Sequence, residues 1–240
     1  MRIAIISDIH GNCAALEAVI KDIQLQQIDN VIFLGDLVMV GPEPKLVINM
    51  LQGMNPICWV KGNTDIWLGE MSGDWKPGTE KERELYEYYR YAKARISKED
   101  IALILDKPCT EAVEIMNQSI LCVHGSPRAA NEIMDGRVPE EYLLQMLVGV
   151  KEDIVACGHS HVPYIGLIKG KYLFNAGSVG KPLDGDSRAA YGIISLQSGV
   201  LPEFEIRRIN YPITEILELA KDRYFPFLDK YVNTLTRGLL

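Results

Sequence analysis

The stretch Arg2–Asn12, RIAIISDIHGN, determines how the rest of this 240-residue chain is interpreted. Its apolar, β-branched first half predicts a buried strand. Asp8 and His10 follow that strand, and Asn12 is placed to cap a helix. The apolar residues of this helix recur at the spacing i, i+3, i+4, i+7, at Leu16, Val19, Ile20 and Ile23. The stretch therefore predicts a strand, a turn carrying Asp-x-His, and a helix.

The same arrangement recurs at four further places, where a short polar motif follows an apolar run. These motifs are Gly35-Asp36 after VIFL, Gly62-Asn63 after ICWVK, His124-Gly125 after SILCV, and Gly158-His159-Ser160-His161 after DIVAC. Functional groups in α/β sheets cluster beyond the carboxyl ends of the strands, so these side chains are expected to converge. Together with Asp8-x-His10, the motifs hold all four histidines of the chain. A lone histidine is better explained as a core or surface imidazole, but four in register with Asp and Asn indicate a metal site, which we interpret as binuclear.

The composition bounds the class of protein. The chain is 48% hydrophobic and 24% charged, as in ordinary globular proteins. A net charge of −7 argues against non-specific nucleic-acid binding, which needs a basic surface. The five cysteines form no C-x-x-C pair, and Cys58, Cys122 and Cys157 lie in apolar runs, which favours buried thiols at these three positions and a cytoplasmic location. The N-terminus meets an acidic residue too early for a signal peptide, and no apolar run reaches the ~20 residues of a membrane span.

Strand and helix alternate through most of the chain, and we expect one domain over residues 1–240. A second helix is predicted near Pro44–Leu51. Residues 65–107 break the rhythm and are predicted as a helical insertion over the sheet and a candidate lid. The insertion is expected to hold a turn at Ser72–Gly78, a tyrosine-rich helix around Glu80–Arg95, and a helix opening with a capping box at Ser97–Asp100.

The C-terminal third changes character. After a helix from Pro139, the chain is expected to form a hairpin through Gly170 and then two strands, AAYGIISL and LPEFEIRRI. We expect these antiparallel strands to form a second sheet packed on the first. A helix from about Ile213 would complete the domain.

The motif order D-x-H, G-D, G-N, H-G and G-H-x-H resembles the calcineurin-like metallophosphoesterase superfamily. The segments SDIHGN, HGSPR, CGHSH and NAGSVGKP are similar to its prokaryotic single-domain phosphoesterase and phosphodiesterase branch. The resemblance covers nearly the whole chain. It implies a four-layer α/β/β/α sandwich of two mixed sheets and a metal-dependent phosphoester hydrolase.

Carried over position by position, the resemblance implies two divalent metal ions. One would be held by Asp8, His10 and His161, the other by Asn63, His124 and His159, with Asp36 bridging both. In this family the ions hold a bridging water or hydroxide, which makes Asp36, Asn63 and His124 the expected catalytic residues. Mn²⁺ is the first expectation for the metal, with Fe, Zn²⁺, Ni²⁺ or Mg²⁺ as alternatives.

One position departs from the family pattern. Many members have a histidine after G-N, which can protonate the leaving group, whereas this chain has Thr64. General acid catalysis is worth ~10²–10⁴ in rate, so its loss favours substrates with better leaving groups. The substitution tilts the interpretation toward a phosphodiesterase acting on a small phosphodiester or nucleotide-like molecule.

Substrate contacts are predicted at Asn63, Arg128 and Ser178. A guanidinium binds phosphate oxygens bidentately, and Ser178 lies in a Gly-containing strand exit. Lys181 and Arg188 are weaker candidates, and Asp65 either supports the metal site or caps a helix.

Three rival functions stay open at this stage. The first is a phosphomonoesterase of the protein phosphatase or dinucleoside-polyphosphate hydrolase type. The second is a non-catalytic scaffold of the same fold, which would usually show eroded ligands, whereas all seven are present here. A DNA nuclease is disfavoured by the acidic charge.

Overall fold

A computed structural model of the chain describes residues 1–28, 30–71 and 75–239. These residues form ten strands and eight helices. The strands are β1 Arg2–Ile6, β2 Asn30–Phe33, β3 Cys58–Trp59, β4 Thr110–Ile115, β5 Gln118–Val123, β6 Ile154–Cys157, β7 Tyr164–Ile168, β8 Lys171–Asn175, β9 Ala189–Ser195 and β10 Glu203–Ile209. The helices are α1 Cys13–Leu25, α2 Pro44–Met54, α3 Asn63–Glu70, α4 Glu80–Lys93, α5 Lys98–Leu105, α6 Glu140–Met146, α7 Ile213–Asp222 and α8 Leu228–Arg237.

The strands form two mixed five-stranded sheets. The first has the order β10-β9-β1-β2-β3, and the second has the order β4-β5-β6-β8-β7. Within the first sheet β1, β2 and β3 are parallel, while β9 lies antiparallel to β1 and to β10. Within the second, β5, β6 and β8 are parallel, and β4 and β7 are antiparallel edge strands.

Three hydrophobic layers separate four structural layers. In β1, Ile3 and Ile5 point toward the second sheet, whereas Ala4 and Ile6 point toward the helices, because strand side chains alternate. The layer between the sheets also contains Phe174, which is fully buried. A third cluster packs α6 against the outer face of the second sheet. This arrangement is the predicted α/β/β/α sandwich.

Several local predictions are confirmed. The Asn12 side chain caps α1 by accepting a hydrogen bond from the Ala15 N–H at 3.1 Å. Ser97 and Asp100 form the predicted capping box of α5. The hairpin through Gly170 joins β7 and β8. None of the described helices combines the length and apolar character that crossing a bilayer requires.

Other expectations were wrong in detail. The C-terminal antiparallel strands do not make a separate second sheet: β7 and β8 join β5 and β6, whereas β9 and β10 extend the sheet of β1. Periodicity predicts that a segment is a strand, but the partner is chosen by long-range packing. Two helices, α7 and α8, replace the single C-terminal helix, and β4 was not predicted. Of the predicted Ser72–Gly78 turn, residues 72–74 lie outside the described residues.

The tyrosines of α4 contribute to the hydrophobic core. Tyr88 and Tyr89 are buried, and so is Tyr91. Its hydroxyl donates a hydrogen bond to the Pro42 carbonyl at 3.0 Å.

Candidate metal centre

The predicted ligands follow the carboxyl ends of β1, β2, β5 and β6, with Asn63 opening α3 just after β3. Two groups of side chains have ligand atoms within 4.8 Å of one another, and both groups are fully buried. One group is Asp8, His10 and His161, and the other is Asp8, Asp36 and His124. Ligands from both sheets therefore meet at one edge of the sandwich.

The carboxylates of Asp8 and Asp36 lie in the middle of this cluster, between its histidines. Asp36 Oδ2 is 3.7 Å from His10 Nε2 and 3.4 Å from His124 Nε2. Asp8 Oδ1 is 3.1 Å from His161 Nε2 and 3.8 Å from His124 Nε2. The position of Asp36 suits the bridging role that the sequence suggested, and Asp8 takes a similarly central position.

Hydrogen bonds fix the protonation of three imidazoles. The Nδ1 atoms of His10, His124 and His161 lie 2.9, 2.7 and 2.5 Å from the carbonyl oxygens of Met39, Leu34 and Lys181. A carbonyl only accepts, so each Nδ1 carries a proton, and in the neutral ring this leaves Nε2 as the atom that turns its lone pair toward a ligand.

This orientation brings like atoms together, which tests whether the residues fit a metal. His10 Nε2 and His161 Nε2 are 3.3 Å apart, so two lone pairs face each other. Asp8 Oδ1 is buried without a hydrogen-bond partner among the described residues. A buried carboxylate oxygen and two facing lone pairs are costly unless a positive charge lies among them. The donor set of imidazole nitrogens and carboxylate oxygens therefore fits divalent metal ions.

Asn63 and His159 are the two remaining predicted ligands, and both lie next to His124. Asn63 Oδ1 lies 3.1 Å from His124 Nε2, so both atoms face the same space. The ring of His159 packs edge-on to that of His124, with centroids 5.3 Å apart. His159 is only partly buried and belongs to neither close group, but its N–H donates to Asp8 Oδ2 at 3.0 Å.

The backbone of the centre is strained in a way that the sequence did not reveal. Five predicted ligands have left-handed backbone conformations, with φ between 48° and 61°: Asp8, His10, Asp36, His159 and His161. Such conformations cost of order 1–3 kcal/mol each in residues with a side chain, and they cluster at functional sites. Interloop hydrogen bonds hold them, including His10 N–H to the Asp36 carbonyl at 3.0 Å.

Two glycines are required because the loops approach one another closely. A Cβ at Gly62 would collide with Asp36 Oδ1, and a Cβ at Gly158 would collide with Ser7 Oγ and crowd Asp8 Oδ2. The glycines of the G-N and G-H-x-H motifs thus allow the two carboxylates to reach the centre.

Asp65 organises the loops rather than facing the cluster of predicted ligands. Its fully buried carboxylate accepts hydrogen bonds from the N–H groups of Asp36, Leu37 and Gly62 at 2.8, 3.0 and 2.9 Å. The carboxylate therefore links the loop after β2 to the start of α3. Both roles considered from the sequence, support of the site and capping of a helix, apply to Asp65.

The charges in the cluster shift each other's protonation. Burial raises the pKa of Asp8 and of Asp36, but nearby histidines outweigh it and hold both pKa values below the usual range. Burial lowers the pKa of His124, yet Asp36 and Asp8 raise it to about 10. Burial lowers the pKa of His10 and of His159. Burial and the Asp36 charge raise the pKa of Asp65 to about 6.

A cavity of about 610 Å³ opens beside the cluster. Its floor includes His10, Asp36, Asn63 and His161, and its walls come from α3, α4, α8 and the loop after β8. The wall residues include Trp67, Lys81, Glu84, Leu85, Tyr88, Lys181, Leu183, Lys230 and Tyr231. The contribution of α8 was not foreseen, because no local signal marks a helix as part of a distant site.

Two of the predicted substrate contacts, Arg128 and Ser178, are not among the residues that line this cavity. The guanidinium of Arg128 pairs with Glu132, with Nε 3.1 Å and Nη2 2.5 Å from the carboxylate oxygens. The Ser178 hydroxyl donates to the Asp8 carbonyl and accepts from the Lys181 N–H, both at 2.8 Å. Arg188 pairs with Asp186. Substrate contacts by Arg128 and Ser178 therefore stay predictions.

Comparison with known proteins agrees with this geometry. The family model of the calcineurin-like phosphoesterase superfamily domain matches residues 1–199. The uncharacterized protein MJ0912 of Methanocaldococcus jannaschii is 30% identical over 243 residues, covering 92% of this chain and 93% of that protein.

Two solved structures share the fold over nearly their full length. A metallophosphoesterase from Sphaerobacter thermophilus superposes with a TM-score of 0.80 at 24% identity, covering 100% of both chains. The hypothetical protein PH1004 from Pyrococcus horikoshii OT3 superposes with a TM-score of 0.85 at 19% identity, covering 99% of this chain and 98% of that one. On the match over residues 1–199, the chain belongs to the calcineurin-like phosphoesterase superfamily, which supports metal-dependent phosphoester hydrolysis as its chemistry.

Proposed function

We propose that this protein is a binuclear metal-dependent phosphodiesterase acting on a small phosphodiester or nucleotide-like substrate. The observation that carries the proposal is the convergence of imidazole Nε2 atoms and carboxylate oxygens at one cavity. His10 Nε2 and His161 Nε2 approach to 3.3 Å, and Asp36 Oδ2 lies 3.4 Å from His124 Nε2.

The proposed metals are two divalent cations, with Mn²⁺ as the first expectation. Asp8, His10 and His161 would hold one, Asn63, His124 and His159 the other, and Asp36 would contact both. When bound, such a pair lowers the pKa of a shared water and neutralises negative charge on phosphate oxygens. These cations outweigh the two buried aspartates, so the centre would attract an anionic substrate even in an acidic protein.

The chain's own residues supply position and orientation. The carbonyl of Leu34 fixes the His124 ring, and the Thr64 N–H holds Asp36 Oδ1 at 2.9 Å. Asn63 offers an amide whose Oδ1 faces the cluster and whose N–H₂ group is a donor for a phosphate oxygen. We therefore propose Asp36, Asn63 and His124 as the catalytic residues.

The preference for diesters rests on Thr64. It is buried at the cavity wall where many relatives have a proton-donating histidine, and its hydroxyl lacks a hydrogen-bond partner among the described residues. A threonine hydroxyl does not donate a proton near neutral pH, so leaving groups that depart without protonation are favoured.

Residues 65–107 are proposed as the selectivity element of a single domain spanning residues 1–240. Support comes from the cavity, because α4 supplies Glu84, Leu85 and Tyr88 to its wall. The free state of the five cysteines supports the cytoplasm as the proposed location.

The test is hydrolysis of bis-p-nitrophenyl phosphate and p-nitrophenyl phosphate by chelator-stripped protein, with and without Mn²⁺. We expect Mn²⁺ to restore activity, with the diester hydrolysed faster than the monoester. Metal content should reach two ions per chain. Faster hydrolysis of the monoester would identify a phosphomonoesterase instead, and inactivity without bound metal would identify a scaffold.

A further inference from the structure

Lys181 enters the cavity from the loop after β8. Because β8 runs parallel to β6, its carboxyl end lies at the same edge of the second sheet as His159 and His161. The Lys181 main chain is fixed on both sides: its N–H donates to Ser178 Oγ at 2.8 Å, and its carbonyl lies 2.5 Å from His161 Nδ1. The residue is therefore attached to the metal centre through its backbone, while its side chain lines the cavity.

The ammonium group of Lys181 has no anionic partner among the described residues. The neighbouring cation behaves differently, because Lys230 Nζ lies 2.8 Å from both carboxylate oxygens of Glu84. A partly buried cation that forms no ion pair is stabilised when an anion joins it.

We propose that Lys181 is a substrate-binding residue whose ammonium group contacts a non-bridging oxygen of the substrate phosphate. This inference rests on the proposed function, because it places the phosphate at the metal cluster. Charge-assisted hydrogen bonds from an ammonium to a phosphate are short and strong, and a lysine supplies them as a point charge. Lys181 thus takes the role that the sequence gave first to Arg128, which is paired with Glu132.

The experiment compares wild type, Lys181→Met and Lys181→Arg loaded with Mn²⁺, with inorganic phosphate as the probe. Methionine keeps the main-chain contacts to Ser178 and His161 and removes only the charge. We expect K181M to raise the dissociation constant for phosphate, measured by calorimetry, about tenfold or more. K181R should recover most of that loss, and the metal content of all three proteins should be equal.

A second variant separates direct contact from the overall charge of the protein. Lys151→Met removes the same charge from an exposed position that does not line the cavity. Because solvent screens exposed charges, we expect K151M to change the dissociation constant by no more than about twofold. Equal effects of K151M and K181M would overturn the inference.

Three other results would also overturn it: unchanged phosphate binding by K181M, loss of metal from K181M, or no binding of phosphate by the metal-loaded wild type. Failure of the proposed function looks different, since it would appear as absence of metal-dependent hydrolysis by the wild type. A wild type that hydrolyses esters while K181M binds phosphate normally would reject only the role of Lys181.

Discussion

Replacing Asp36 by Asn should lower the pKa of the His124 imidazole in the metal-free protein by about 3–4 units. Burial alone would lower the pKa of His124, but Asp36 and Asp8 raise it to about 10. At the observed 3.4 Å between Asp36 Oδ2 and His124 Nε2, an effective dielectric constant of about 20 gives about 5 kcal/mol for the pair. Removing that charge should therefore return the pKa of His124 to about 6–7.

The assay is a pH titration of the histidine ring nitrogens by NMR in chelator-treated protein. Asp153→Asn serves as the control, because Asp153 pairs with Ser119 just before β6, at the opposite end of that strand from the metal cluster. We expect that control to leave the pKa of His124 near its wild-type value. A wild-type pKa below 7, or an equal pKa in wild type and D36N, would refute the electrostatic argument.

The same shift has a consequence for the stability of the metal-free protein. The pKa of His124 is raised on folding, so its stabilising contribution is fully present below its unfolded value near 6.5 and is lost as the pH rises toward about 10. Wild-type apoprotein should accordingly lose stability across this window, and D36N should lose less. Denaturant unfolding at pH 6 and pH 9.5 measures the difference, and parallel losses in both proteins would contradict it.

Three further predictions concern activity, metal affinity and packing. Asp36→Asn and His124→Ala should each abolish hydrolysis while far-UV circular dichroism stays unchanged; full activity in either variant would refute the proposed mechanism. Asp65→Asn should weaken metal binding about 10–100-fold in a chelator competition, because an amide cannot accept all three loop hydrogen bonds. Unchanged metal affinity would show that these hydrogen bonds do not position Asp36. Tyr91→Phe should lower the free energy of unfolding by about 1 kcal/mol, measured in denaturant, because it loses its hydrogen bond. Tyr86 forms no such bond among the described residues, so Tyr86→Phe should leave the free energy of unfolding unchanged. Equal losses in the two variants would contradict the prediction.

Local features were readable from the sequence because neighbours in the chain determine them. The strand that ends before Asp8 and the helix that Asn12 caps depend on residues within one or two turns of each other. The convergence of strand-end motifs followed from the general geometry of parallel strands. These two arguments were enough to predict alternating strands and helices and to bring most candidate ligands together, whereas the four-layer sandwich was implied by the resemblance to the phosphoesterase superfamily.

Long-range choices were not readable in the same way. The strand β9 pairs with β1 across nearly the whole chain, and nothing in its apolar pattern distinguishes that partner from a strand of the other sheet. Arg128 carries the right chemistry for phosphate, but Glu132, four residues further along the same loop, engages its guanidinium. The left-handed backbone at Asp36 and His161 depends on loop contacts that form only in the assembled fold.

The candidate metal centre draws its predicted ligands from two separately hydrogen-bonded sheets, with Asp36 following a strand of one and His124 following a strand of the other. The separation of these ligands is therefore set by the thickness of the hydrophobic layer between the sheets, which includes Phe174 and Ile32. Ligand distances in metal sites are constrained to about 0.2 Å, and divalent ions differ in preferred distance by comparable amounts. A substitution that changes the volume of this core, made without altering any ligand, should thus shift which ion the centre prefers.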